Sequence, residues 1–228
     1  PIKKLKSQEE LRMVVANNKI SLVRERLKHF DSLPLNQEDF RDSNNQLSES
    51  KGFFARDFGM EQWDWPQGVG IYGLHLEGPI NDEYIKQWAT EEINKGLPTK
   101  NVNTICPLLT LVDYPEYETL ALEWMKWIEK EFPRTDENGL QHITSGIDKF
   151  TVKENRNQIW ADTLFMTVLF MGKMGVKYDN QIWREDAIEQ MLLHCKYLLN
   201  RKSGLFYHGW NFEEQSNYGG NFWCRGNS

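Results

Sequence analysis

Asp162 is the one acid in a long apolar run. Residues 157–175 read NQIWADTLFMTVLFMGKMG. Ile159, Trp160, Leu164, Phe165, Met166, Val168, Leu169, Phe170 and Met171 leave no polar face, so the spacing predicts a helix buried on every side with Asp162 in its first turn. A carboxylate buried there is costly unless paired or neutralised, and burial raises its pKa. A carboxylic acid tuned toward neutral pH can act as a general acid/base. The alternative is a helix cap satisfied by backbone N–H groups.

Which other residues meet Asp162 depends on the elements that carry them. Residues 65–74 (WPQGVGIYGL) and 103–112 (NTICPLLTLV) are also apolar nearly all round. Between such segments lie amphipathic ones. Residues 81–94 carry the stripe Tyr84, Ile85, Trp88, Ala89 and Ile93, and residues 115–131 carry Tyr117, Leu120, Ala121, Trp124, Trp127 and Ile128. Residues 181–199 carry Trp183, Ala187, Ile188, Met191, Cys195 and Leu198. Three alternations of buried and half-buried helices predict an all-α, two-layer ring of inner and outer helices. No run alternates as a strand would, and residues 205–208 are too short to decide. Upstream, residues 1–16 read as frayed or loosely helical, 20–30 as a helix, and 31–51 as a polar surface loop. The whole chain reads as one domain: residues 1–60 a helix and polar loop, 61–228 the hairpins.

In such a ring the inner helices run the same way, so their N-termini share one rim. That rim collects residues 63–67 (WDWPQ), 100–104 (KNVNT) and 158–163, with the loop at 201–225. Helix N-termini favour an anion, and Lys100 and Arg225 would add contacts to a carboxylate. The expected site is a cup lined with Trp, Tyr and His around one buried acid, fit for a sugar acid. Residues 225–228 read like the cap of a fourth inner helix, which predicts a chain that stops after about three and a half hairpins and continues in a longer protein.

Composition narrows the partners. The 228 residues include 9 Trp, 8 Tyr and 12 Phe, which suits a large core and a carbohydrate-stacking pocket. A net charge of −6 argues against nucleic acid or an anionic membrane as partner, and no apolar run is long enough to span a bilayer. Three widely spaced cysteines (Cys106, Cys195, Cys224) fit neither a disulfide framework nor a zinc site, so a reducing, cytoplasmic compartment is expected.

The segments at 63–74 (WDWPQGVGIYGL), 101–111 (NVNTICPLLTL), 139–144 (GLQHIT), 159–166 (IWADTLFM), 205–211 (LFYHGWN) and 222–228 (FWCRGNS) together resemble glycoside hydrolase family 105, the unsaturated rhamnogalacturonyl (glucuronyl/galacturonyl) hydrolases. The resemblance implies an (α/α)6 six-hairpin barrel. It implies action on oligosaccharides ending in an unsaturated galacturonate or glucuronate left by pectin lyases, with no metal and no cofactor. It implies hydration of the C4=C5 bond: a carboxylic acid protonates C4, water adds at C5, the hemiketal opens and the glycosidic bond is lost. By resemblance Asp162 is the general acid/base and His208 positions or polarises the water. Trp223 and Arg225 hold the sugar and its carboxylate, with His142, Tyr72, Trp65 and Asn103 as further pocket members. Relatives often carry a second acid near the start of the second inner helix. Here Asn101 and Asn103 stand there and Asp113 lies at the far end of that helix, so either the second acid is dispensable or Asp64 replaces it. His29, His75 and His194 read as peripheral. Two other readings stay open: a sugar epimerase or isomerase on the same barrel, and a non-catalytic carbohydrate-binding module.

Overall fold

The computed structural model describes residues 8–29, 59–146, 150–217, 222 and 227, and within 8–15 the backbone alone. The helices are α1 (Gln8–Lys28), α2 (Trp65–Glu77), α3 (Asp82–Asn94), α4 (Val102–Ile105), α5 (Leu108–Leu111), α6 (Glu118–Lys130), α7 (Leu169–Lys177) and α8 (Gln181–Leu198). Among the described residues five short strands join them: β1 (Ile143–Ser145), β2 (Val152–Glu154), β3 (Gln158–Trp160), β4 (Gly209–Asn211) and β5 (Ser216–Asn217). The architecture is helical, and the inner–outer alternation is that of an α/α barrel. The inner layer is α2, then α4 with α5, then α7; the outer partners are α3, α6 and α8.

Local chemistry explains the inner helices. Asp64 caps α2 by accepting from Trp65 N, and Pro66 sits in its first turn, where its missing N–H costs nothing. Asn101 opens α4 with a capping box: its side chain accepts from Asn103 N and Thr104 N, and Thr104 Oγ1 accepts from Asn101 N. The second inner segment is two short helices rather than one, broken by a turn at Cys106 and Pro107, because proline has no N–H to give the ladder. The core is continuous across the layers; Ile71, Ile85, Trp124, Ile105, Leu109 and Phe170 are fully buried.

Like ends of the inner helices lie together, since α4 packs on α2 and on the turn that opens α7, while α5 packs on α2 and α7. At the far end, Asp113 pairs with His75 at 3.0 Å and with Lys173 at 2.6 Å. Lys177 Nζ donates to Val112 O at 2.6 Å. Three inner helices are thereby tied at their C-termini, where cations suit the helix dipole.

Several expectations are corrected. Residues 157–175 are not one helix: β3 is followed by a turn at Ala161 and Asp162, a π-helical segment at Leu164–Val168, and then α7. A short apolar run is ambiguous between strand and helix, and pairing with β4 decides it. Strands do exist: β1 and β2 form an antiparallel hairpin, and β3, β4 and β5 form a second antiparallel sheet. The first helix starts earlier than expected, and Ile20, Leu22 and Val23 are exposed, leaving Leu27 on the core. On α8 the buried face is Trp183, Ala187, Gln190, His194 and Leu198, whereas Ile188 and Met191 are exposed. His194, expected at the periphery, is fully buried on the inner face of the outer helix α8. The polar loop at 31–51 lies outside the described residues. No helix among the described residues is long and apolar enough to cross a membrane.

Candidate active site

Asp162 sits at the junction between β3 and the helix it precedes. Its backbone carbonyl accepts from Met166 N at 3.1 Å, and the cap position of the π segment falls to Thr163. Asp162 is 9% exposed and His208 is 8% exposed, so both are close to dry while still reaching the surface.

Strand periodicity then places the aromatic residue beside the acid. In β3, Ile159 points into the core while Trp160 lies half-buried on the opposite face. The Trp160 ring stands between two imidazoles. His142 stacks flat on it, with ring centroids 4.0 Å apart and planes 9° apart, and His208 lies against it at 4.5 Å and 53°. His142 Nδ1 is hydrogen-bonded to Thr163 Oγ1 at 3.1 Å and lies 3.8 Å from Asp162 Oδ1.

The backbone fixes this cluster. Ala161 N donates to His208 O at 2.9 Å, and His142 N donates to Gln158 O at 2.8 Å. Trp160 pairs across the sheet with Gly209. A Cβ on Gly209 would fall 2.8 Å from Trp160 Cδ1 and 3.0 Å from Ile159 O, so the glycine after His208 is what lets the indole lie against the strand. Trp160 Nε1 donates to Gln158 Oε1 at 3.0 Å, which fixes the ring's rotation.

The remaining expected site residues divide. Asn103 is buried in the first turn of α4, which packs against β1 and against the π segment that follows Asp162. Trp65 is half-buried as the first residue of α2, and Tyr72 turns its ring edge-on to Phe165 at 5.4 Å. Trp223 and Arg225 lie outside the described residues. Lys100 does not serve the rim: Nζ pairs with Glu123 at 2.8 Å and lies 5.6 Å over the Trp124 ring, toward α6. Asp113 is held at the opposite end by His75 and Lys173, which removes it as a second acid. Asp64 stays on the rim as the cap of α2. Burial, reinforced by the charges of Asp64 and Asp162, pushes the Cys106 thiol up, so both carboxylates act on one buried sulfur beneath the rim. Among the described residues no three His, Cys, Asp or Glu side chains converge as a metal site requires.

The arrangement supplies one near-buried carboxylic acid, two imidazoles and an aromatic surface at the shared end of the inner helices. Sequence similarity agrees with this chemistry: the sequence model of Glycosyl Hydrolase Family 88 matches residues 42–228. The chain belongs to that family. Unsaturated rhamnogalacturonyl hydrolase YesR of Bacillus subtilis (strain 168) is 32% identical over 188 residues, covering 78% of this family 88 chain and 53% of YesR. A crystal structure of a possible family 105 member from Salmonella enterica superposes with a TM-score of 0.72 at 28% identity, covering 99% of this chain and 57% of that one. A possible family 105 member from Klebsiella pneumoniae gives 0.69 at 30% identity, covering 100% of this chain and 57% of its own. The chain thus spans about half the length of the relatives it matches.

Sequence reasoning missed Trp160 as a site residue, because it was counted among the apolar residues of a helix. The available signal was the spacing Trp160-x-Asp162, which places both residues on one side of a strand leading into a turn.

Proposed function

We propose that this chain carries the acid/base site of a glycosidase that removes an unsaturated uronic acid from pectin-derived, rhamnogalacturonan-type oligosaccharides by hydrating the C4=C5 bond. The observation that carries the reading is Asp162, 9% exposed and beside the His142–Trp160–His208 stack. The family membership and the activity in YesR's name support it. In this reading the carboxylic acid of Asp162 gives its proton to C4, and positive charge develops at C5 and the ring oxygen. A water held by His208 adds to C5 and returns a proton to the Asp162 carboxylate. The hemiketal opens, and collapse at C1 releases the rest of the oligosaccharide. Trp160 seats His142 and His208 beside the acid, and Trp65, Tyr72 and Asn103 on the neighbouring inner helices line the sugar's side of the cup. Trp223 and Arg225 take the sugar and its carboxylate on the strength of their motif. A cytoplasmic setting belongs to the same reading, supported by the free thiols of Cys106 and Cys195.

The test is Asp162→Asn, assayed as loss of the ultraviolet absorbance of an unsaturated uronyl disaccharide. The substitution keeps the shape and removes the proton donor, so kcat falls by roughly a hundredfold to ten-thousandfold, the range of general acid/base catalysis. Undiminished turnover in the variant would sink the assignment.

A further inference from the structure

The geometry points to Gln190, on the outer helix α8, as a positioning residue that sets the stack of His142 on Trp160 beside Asp162. This inference rests on the site reading above.

Gln190 is 1% exposed on the buried face of α8. A leucine there would pack the helix against the core, and a buried carboxamide is costly unless its groups are bonded. Gln190 bonds them in one direction. Its Oε1 accepts from Leu140 N at 2.8 Å, and its Nε2 donates to Asn138 O at 2.9 Å and to Asp186 Oδ1 at 3.1 Å. The side chain thus clamps the turn at 138–140, where Asn138 has a φ of 63°. Arg134 Nη2 pairs with Asp186 at 2.7 Å, so the start of the same loop is tied to α8 as well.

The clamp leads directly to the site. Gln141 Oε1 accepts from Asn157 N at 2.8 Å, and His142 N donates to Gln158 O at 2.8 Å. Two residues past the clamped Leu140, the His142 ring lies on Trp160 at 4.0 Å. One turn along α8, His194 Nδ1 lies 2.7 Å from Gln190 O. Helix α8 therefore holds His142 against the Trp160 ring through the clamped turn. Hydrogen bonds are directional, so the amide fixes the height of the loop in a way that apolar packing cannot. Displacement of a catalytic cluster by about 1 Å is enough to cost roughly a hundredfold in rate.

The experiment compares Gln190→Leu, Gln190→Glu and the control Ile85→Val, which trims a fully buried residue on α3, in the protein that carries this chain. The reaction-independent readout is the His142 ring C–H signals in NMR, which the Trp160 ring current shifts. Gln190→Leu moves these signals toward those of an unstacked imidazole and lowers kcat by roughly tenfold or more with KM little changed. Gln190→Glu keeps the acceptor for Leu140 N but sets its second oxygen against Asn138 O and the Asp186 carboxylate, so it too displaces His142 and lowers kcat. Ile85→Val lowers the melting temperature but moves neither readout. If Gln190→Leu leaves the His142 signals and kcat where Ile85→Val leaves them, the inference is overturned. If Gln190→Leu does not fold, an unmoved His142 in Gln190→Glu overturns it equally. Absence of turnover in the unsubstituted protein defeats the proposed function, and the ring-current readout then still decides the positioning role.

Discussion

Gly68 sits in the second turn of α2, where that helix meets the break between α4 and α5. A methyl group there would lie 2.7 Å from Cys106 Sγ, 2.7 Å from Pro107 N and 2.8 Å from Cys106 C. Two of these three atoms are backbone, so no change of rotamer relieves the contact. Carbon contacts are comfortable near 3.5 Å, so the two inner helices must separate by roughly 0.7 Å. Alanine is worth about 1 kcal/mol over glycine in a helix interior, while overpacking of this kind costs about 3 kcal/mol at the upper end of its usual range. Gly68→Ala is therefore destabilising by about 2 kcal/mol net. Gly73, five residues on in the same helix, has no atom within 4 Å of its would-be Cβ, so Gly73→Ala shows the helix gain alone. Urea unfolding of the two variants measures the difference, about 3 kcal/mol with opposite signs. If Gly68→Ala matches Gly73→Ala within about 0.5 kcal/mol, the size ordinarily seen for surface changes, the inner helices are not in the contact described.

Acid should weaken the fold through His194. Burial lowers its pKa from 6.5 to about 4, so between those values the unfolded chain holds a proton that the folded chain refuses. Stability is then full above about pH 6.5 and is lost as pH falls toward 4, by about 3 kcal/mol from this residue. His194→Gln flattens that part of the stability–pH curve, and an unchanged slope contradicts the assignment. Asn101→Ala removes the acceptor for Asn103 N and Thr104 N and costs about 1 kcal/mol, read as a lower melting temperature.

The ring of helices was legible because its signal is long. Each inner–outer pair repeats a switch from all-round apolar to one-sided apolar over tens of residues. The strands were not legible, because β1, β3 and β4 have three residues each and alternation needs more. The acid was found by its oddity, yet its setting was misread: β3 and α7 are both apolar, and only pairing with β4 separates them. The phase of α8 was misjudged for a different reason. Its core face includes Gln190, whose carboxamide bonds a loop distant in sequence, and His194, whose Nδ1 bonds Gln190 O one turn back in the same helix. Hydrophobicity alone ranks Ile188 and Met191 above them. The spacing of Trp183, Ala187, Gln190, His194 and Leu198 was nonetheless that of a single helical face.

The π-helical segment at Leu164–Val168 separates two demands on one stretch of chain. Downstream, Phe170, Met171 and Met174 fill the core; upstream, Asp162 lies beside His142 and the Trp160 stack. A π turn winds about five residues through nearly the angle that four make in an α-helix, so the segment takes up an extra residue while the core residues after it stay seated. The seating of β3 against β4 and the packing of α7 in the core are therefore met by separate stretches of chain on either side of the wide turn. A change of one residue in length here is absorbed by the width of the turn, so the interior formed by Phe170, Met171 and Met174 tolerates it without repacking.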